Sequence, residues 1–281
     1  MSDAYVYRMA TAADMPAAHA LSVQLKWPHR EEDWAMVQRT SGGFVAEHEG
    51  QLVGVAFACH QGAYSSIGLV IVSDQHQSKG IGRRLMNLCL DAAAPRTPIL
   101  NATESGAPLY VSMGFVEYAR IQQHQGVPHM PPVLAATRDA LCREVTEAEY
   151  PQVVELANAG SGLDRTAVLN DLLPMAECVV GVEVHGQLKG CALLRRFGRG
   201  HLIGPVVAQD LAQAKQMITH LLGLIPGAFV RFDILADCAL VDWLEGMGLP
   251  CVDRAPRMVL GEPPQSRDGI AQFAMVTQAI G

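Results

Sequence analysis

The chain has 281 residues, 49% of them hydrophobic and only 17% charged, enough for roughly two domains with buried cores. A formal net charge of -7 and a pI near 5.8 argue against a general nucleic-acid binder, which needs a basic face to neutralise phosphates. Seven scattered cysteines, odd in number and without a C-x-x-C pair, favour neither a disulfide framework nor a zinc site, so no metal is expected. Asp3, Arg8 and Asp14 interrupt the first twenty residues, which therefore lack the apolar centre of a signal peptide. No run approaches the length of a membrane span, and a cytoplasmic protein without a membrane partner is expected.

In chain order, Val6 to Met9 is strand-like and is followed by Thr11 and Asp14, spaced as a capping box ahead of an apolar helix. Leu25 to Trp34 (LKWPHREEDW) predicts a helix pair broken at Pro28. Trp27 and Trp34 are candidates for an apolar wall, with Glu31, Glu32 and Asp33 beside them to attract a cation. Gly50 to Gly54 lies between β-rich runs and predicts a hairpin turn. Ser65 to Val72 reads as a buried strand, and Gly82 to Ala94 as a helix with Leu85, Leu88, Cys89 and Ala92 on its apolar face. Ile99 to Thr103 and Ala107 to Phe115 predict a further strand and helix.

Three of these features recur. Thr146 and its flanking residues repeat Thr11 at a distance of 135, Gly186-Gln187-Leu188-Lys189-Gly190 repeats the hairpin at 136, and Met247-Gly248 repeats Met113-Gly114 at 134. A common spacing points to internal duplication, and so to two α/β units with mixed sheets. Gly126, Pro128, Pro131 and Pro132 mark the joint between Gln125 and Ala140, and the units are expected at 1–138 and 139–281. Gly261 to Ser266 forms a second break before a strand-like run from Ala271 to Thr277.

Between the predicted strand and helix stands Gln77-Ser78-Lys79-Gly80-Ile81-Gly82, followed by Arg83 and Arg84. Two glycines let backbone N–H groups converge on one point, and a helix start adds its positive end. Cations are disfavoured beside that end unless an anion neutralises them, so the stretch predicts a phosphate or pyrophosphate cradle. A Rossmann fingerprint would need a glycine at Leu85, and no P-loop Gly-Lys-Ser or Gly-Lys-Thr run exists.

Gln77 to Gly82 matches the Q/R-x-x-G-x-G/A signature of the GNAT superfamily of N-acetyltransferases. Ile99 to Thr103 resembles the next strand of that fold, and Leu109-Tyr110 with Gly114-Phe115 resembles its L-Y-x-x-x-G-F pattern. The second unit resembles the carboxy-terminal GNAT-like domain of two-domain bacterial members through Ile203 to Ala208, Asp242 to Leu244 and Arg257-Met258.

The resemblance implies tandem GNAT-like domains and direct transfer of an acetyl group from acetyl-CoA, as co-substrate, to an amine. It implies that N–H groups at Val70, Ile71 and Val72 polarise the thioester carbonyl and pair with the pantetheine arm. The amides from Ser78 to Arg83 would hold the pyrophosphate. Tyr110 would be the general acid, and Asn101 would bond the cofactor arm or cap a strand end. Tyr64 to Val72 contains no carboxylate or histidine, which departs from members with a glutamate base on this strand. His60 and His29 are the candidate bases, because imidazole titrates near working pH; deprotonation through water, or an acceptor already neutral in part, fits equally.

Trp27 and His29 are expected at the acceptor site, with Asp164 and Arg165 contributed by the loop that enters the second unit. At the duplication offset the cradle falls near Ala212 to Met217, without glycines, and Tyr110 falls on Leu244. One cofactor site is therefore expected, acting on a small-molecule amine. Protein lysine acetylation and non-catalytic acyl-CoA sensing are the alternatives. Duplication can replace a dimer interface, so a monomer is expected rather than a homodimer.

Overall fold

The computed structural model describes residues 5–129 and 140–281. The expected boundary at 138/139, and with it Pro131 and Pro132, lies outside the described residues.

The first half runs β1 (Val6–Met9), α1 (Met15–Gln24), α2 (Glu31–Thr40), β2 (Gly42–His48), β3 (Gln51–Gln61), β4 (Tyr64–Val72), α3 (Ile81–Ala93), β5 (Thr97–Asn101), α4 (Ala107–Val111) and β6 (Val116–Gly126). The second runs β7 (Ala140–Glu144), α5 (Tyr150–Ser161), α6 (Thr166–Leu172), β8 (Cys178–Val184), β9 (Gln187–Phe197) and β10 (Gly200–Ala208). It continues through α7 (Leu211–Leu224), β11 (Val230–Leu235), α8 (Val241–Gly246), β12 (Cys251–Val259) and β13 (Ala271–Ala274). The repeated order is the physical form of the sequence duplication. No helix of the described residues is long and apolar enough to cross a membrane.

The matched local features have matched geometry. Both threonines sit in capping boxes, Thr11 with Asp14 and Thr146 with Glu149. The preceding arginines clamp these turns to the hairpins: Arg8 pairs with Asp14 and Glu47, and Arg143 with Glu149 and Glu183. Each hairpin turns through two consecutive left-handed residues, Glu49-Gly50 and His185-Gly186, which suits the twist of paired strands.

Helices cover both faces of the sheet. In the first half α3 buries Ile81, Leu85, Met86 and Cys89 against Ala46, Ala56, Ala58 and Leu100. Its apolar face is thus rotated from the expected one, with Ala92 exposed and Ala93 buried, because Ile81 and Met86 also reach the sheet. On the other face α1 and α2 pack Met15, Leu21 and Val37 on Val45, Val55 and Phe57. The second half repeats this with α7 over Val180, Val182 and Leu194, and α5 over Val179, Cys191 and Leu193. Neighbouring residues of β8 and β9 thus serve opposite cores, as the two-residue period of a strand requires.

All thirteen described strands form one sheet, in the order β1-β2-β3-β4-β5-β12-β6-β11-β13-β10-β9-β8-β7. The halves exchange strands at the centre. β12 of the second half pairs with β5 and β6, whereas β6 of the first half pairs with β12 and β11. β6 extends through Gly126, so regular structure continues past the beginning of the expected joint at Gln125.

After β13 the chain threads back into the first half, where Val276, Ala279 and Ile280 join the core of α1 and α2. A Cβ on Gly68 would stand 1.8 Å from the Ala279 carbonyl oxygen, and one on Gly204, its duplicate, 2.0 Å from that of Met275. Neither oxygen is on a flexible side chain, so Gly68→Ala is expected to cost about 3 kcal/mol, the upper range for overpacking. Denaturant unfolding of the full chain reads this directly. An unchanged midpoint would contradict the close approach of Ala279 to β4.

Candidate active site

β4 is the strand on which the site is built. Its parallel pairing with β5 covers Tyr64 to Ile67 only, and from Gly68 onward that edge is open. Across from β3 the register skips between Gly68 and Ile71, and Leu69 is forced to a φ of 51°, the signature of a bulge. A bulge turns backbone groups of Leu69 and Val70 out of the ladder toward the gap between β4 and β5.

That gap is a cleft of about 540 Å³. Val70, Ile71 and Val72 form one wall, and Gln77, Ser78, Gly80, Ile81, Gly82 and Arg83 form its end. Trp27 and Tyr110 also line it, so most of the residues expected around a cofactor converge. Lys79 is not part of the lining; its ammonium lies 5.9 Å from the Tyr5 ring centroid. Asn101 lies in the adjoining pocket, where its Nδ2 donates to the Gln278 carbonyl at 2.8 Å. Thr103, Ser105, Gly106 and Leu109 supply the facing wall; Thr103 and Leu109 belong to the matched strand and L-Y pattern, whereas Ser105 and Gly106 are turn residues that no sequence pattern marked.

At the end of the cleft Ser78 and Gly80 take left-handed conformations, with φ of 60° and 80°. Gly80 is the N-cap of α3 and supplies no side-chain cap, so the amides of the first turn have no protein acceptor at that position. The Gln77 side chain braces the loop by donating to the Val72 carbonyl at 3.2 Å and to Asp74 at 2.9 Å. Arg83 reaches across to Ser112 Oγ at 2.6 Å. Among the described residues no carboxylate forms a salt bridge with Lys79, Arg83 or Arg84. An uncapped helix start carrying unneutralised cations fits a phosphate-bearing ligand.

The duplicated helix end is built the other way. The Asp210 carboxylate caps α7 by accepting from the Gln213 amide at 2.9 Å, so the positive end is already neutralised. The slot beside β10 is also filled. β13 pairs with Val206, Val207 and Ala208, which stand 136 residues after Val70, Ile71 and Val72. A strand of this chain thus lies where the first half leaves its cleft.

Tyr110 is 8% exposed, and among the described residues its hydroxyl makes no hydrogen bond. Burial pushes its pKa up to about 12, with a smaller contribution from Cys89, so the phenol stays protonated at neutral pH.

A second pocket of about 110 Å³ shares Trp27 and Thr103 with the cleft. His29 lies in it, its ring 6.0 Å from Trp27 and 5.5 Å from Phe197 between centroids. Its Nδ1 is buried without a partner. Burial, then the charge of Arg231, lowers its pKa to about 4, leaving a neutral imidazole at pH 7.

The other expected acceptor residues lie elsewhere. His60 bonds Ser65 Oγ at 3.1 Å near the β3–β4 turn, and Asp164 accepts from the Thr166 amide at 3.1 Å at the start of α6. Arg165 is fully buried and bonds Gln61 at 3.1 Å. Trp34 is core, its Nε1 bonded to Ser22, and Asp33 is paired with Arg30 and Arg195. Neither is open to an incoming amine: Trp34 packs within the first half against Phe57, and Asp33 joins α2 to the second half through Arg195.

The pocket floor comes from the exchanged strands and the strand beside them: Gln123 of β6, Asp253 and Ala255 of β12, and Arg231 of β11. No local motif marks them, since they meet only through strand order.

Comparison with known proteins places the site in context. Two models, each described as an acetyltransferase (GNAT) domain, match residues 26–135 and 153–273. The chain is 30% identical over 223 residues, 78% of each partner, to the uncharacterized N-acetyltransferase YitH of Bacillus subtilis (strain 168). Among solved structures, a putative acetyltransferase from Pyrococcus horikoshii superposes with a TM-score of 0.81 at 19% identity, covering 100% of this chain and 97% of that one. A tandem GNAT protein from the clavulanic acid biosynthesis pathway gives 0.68 at 14% identity, covering 92% and 99%. These two likenesses concern the fold.

Proposed function

Because the chain belongs to the GNAT family of acetyltransferases, we propose that it transfers an acetyl group from acetyl-CoA to the primary amine of a small molecule, at one site in its first half. The observation that carries this reading is the contrast between the two helix ends. α3 is uncapped beside an open cleft, whereas α7 is capped by Asp210 beside a slot occupied by β13.

Acetyl-CoA supplies the activated acyl group as a thioester. The amides from Ser78 to Arg83 hold its pyrophosphate, with Arg83 adding charge. Backbone groups of the bulge and of Val70 to Val72 orient the pantetheine arm and polarise the carbonyl, as fixed dipoles aimed at the developing charge do. Tyr110 donates its proton to the departing sulfur. Neutral His29 can accept a hydrogen bond from the amine, but its lowered pKa makes it too weak a base to hold the proton, so the ammonium loses its proton to water before attack.

The limited volume of the second pocket and its walls from both halves favour a small acceptor over a protein lysine. Thiol release from acetyl-CoA, followed with a panel of small amines and lysine-bearing peptides, tests this. Turnover is expected with small amines. Release with peptides alone would move the function to protein acetylation, and binding of acetyl-CoA without thiol release would indicate a sensor.

A further inference from the structure

Arg231 is the one cation among the described residues lining the second pocket, and its surroundings specify how it can be used. Its Nε and Nη2 donate to the two oxygens of Asp233 at 2.9 and 3.0 Å, and Asp233 is fully buried. The Phe197 ring lies 5.3 Å below the guanidinium, so both plane and rotation are held. Asp233 is held in turn by Gln278 Nε2 at 3.3 Å. Among the described residues Arg231 Nη1 has no hydrogen-bond partner.

A guanidinium has five donors in a planar fork, and one edge of this one is already taken. The remaining edge, Nη1 with the second hydrogen of Nη2, matches the two oxygens of a carboxylate lying in the same plane. The positive potential is felt in the pocket, since Arg231 is the strongest charge acting on His29.

Asp253 gives the floor a second pole. Gln123 is the register partner of both Asp233 and Asp253, so the two acids share a row two strands apart, about 10 Å from strand spacing. Asp253 is exposed, and among the described residues its carboxylate accepts only from the Arg254 amide at 2.8 Å, which leaves lone pairs for a ligand. A negative group there repels a dianionic ligand and attracts an ammonium.

We infer that the acceptor is an amino acid: its carboxylate docks on the free edge of Arg231 and its amine faces the cleft. The inference rests on the acetyl-transfer reading and narrows its substrate class.

Calorimetric titration of the full chain, with and without CoA, tests it using α-, β- and ω-amino acids and the matching amines that lack the carboxylate. The best amino acid is expected to bind about 10- to 100-fold more tightly than its decarboxylated counterpart, the usual strength of a charged hydrogen-bonded contact. Arg231→Lys keeps a charge against Asp233 but loses the fork, and the preference should fall to within about threefold while CoA affinity is retained. The ligand comparison in wild type does not depend on how well this variant folds. Equal affinity for the two series, or no binding of any amino acid, would overturn the role of Arg231. Absence of CoA binding would instead sink the acetyl-transfer reading.

Discussion

Gly82→Trp is expected to abolish acetyl-CoA binding, by at least about 100-fold in Kd, while the protein keeps its fold. A Cβ at Gly82 would meet Leu109 Cδ2 at 3.5 Å and Val72 Cγ2 at 3.7 Å, which are ordinary contacts. Both neighbours line the cleft, so anything larger than a methyl group projects into the space claimed for the pantetheine arm. Gly82→Ala should therefore bind nearly normally. Gly80 behaves differently: its Cβ would meet nothing within 4 Å, but its φ of 80° strains any other residue by about 1 to 2 kcal/mol. Calorimetry and thermal unfolding on the same preparations separate a blocked cleft from a damaged one. Normal binding by Gly82→Trp would remove the cleft as the cofactor site.

Tyr110→Phe is expected to lower kcat by about 100-fold or more, the lower range for loss of general acid catalysis, with little change in KM for acetyl-CoA. The substitution is a clean probe because among the described residues the hydroxyl has no partner to leave unsatisfied, and the ring keeps its packing on Phe115. The pKa near 12 also gives a sign: the donor is fully protonated across the neutral range, so its loss should lower the whole pH–rate profile rather than shift it. Unchanged turnover would mean that the leaving sulfur takes its proton from water.

These experiments address residues that local pattern already marks. The cradle is readable because its chemistry lies in consecutive residues: glycines, helix start and cations all fall between Gln77 and Arg84. Capping boxes and hairpins are readable for the same reason. The acceptor side is not. Trp27 and Trp34 look alike in sequence, yet Trp27 lines both pockets while Trp34 is fully buried against Phe57. Asp33 looks like a surface acid but is 3% exposed, because Arg195 arrives from β9 to pair with it.

Sequence alone determined the repeat, the two-domain GNAT family and the loop that distinguishes one half from the other, since each depends on contacts within a few residues. Only the tertiary structure decided that β6 and β12 change places, that β13 occupies the second half's slot, and that Gln123, Arg231 and Asp253 share one pocket floor. The physical reason is that a strand's alternating pattern specifies which face it buries but not which edge it joins. That choice belongs to hydrogen bonds between segments far apart in the chain.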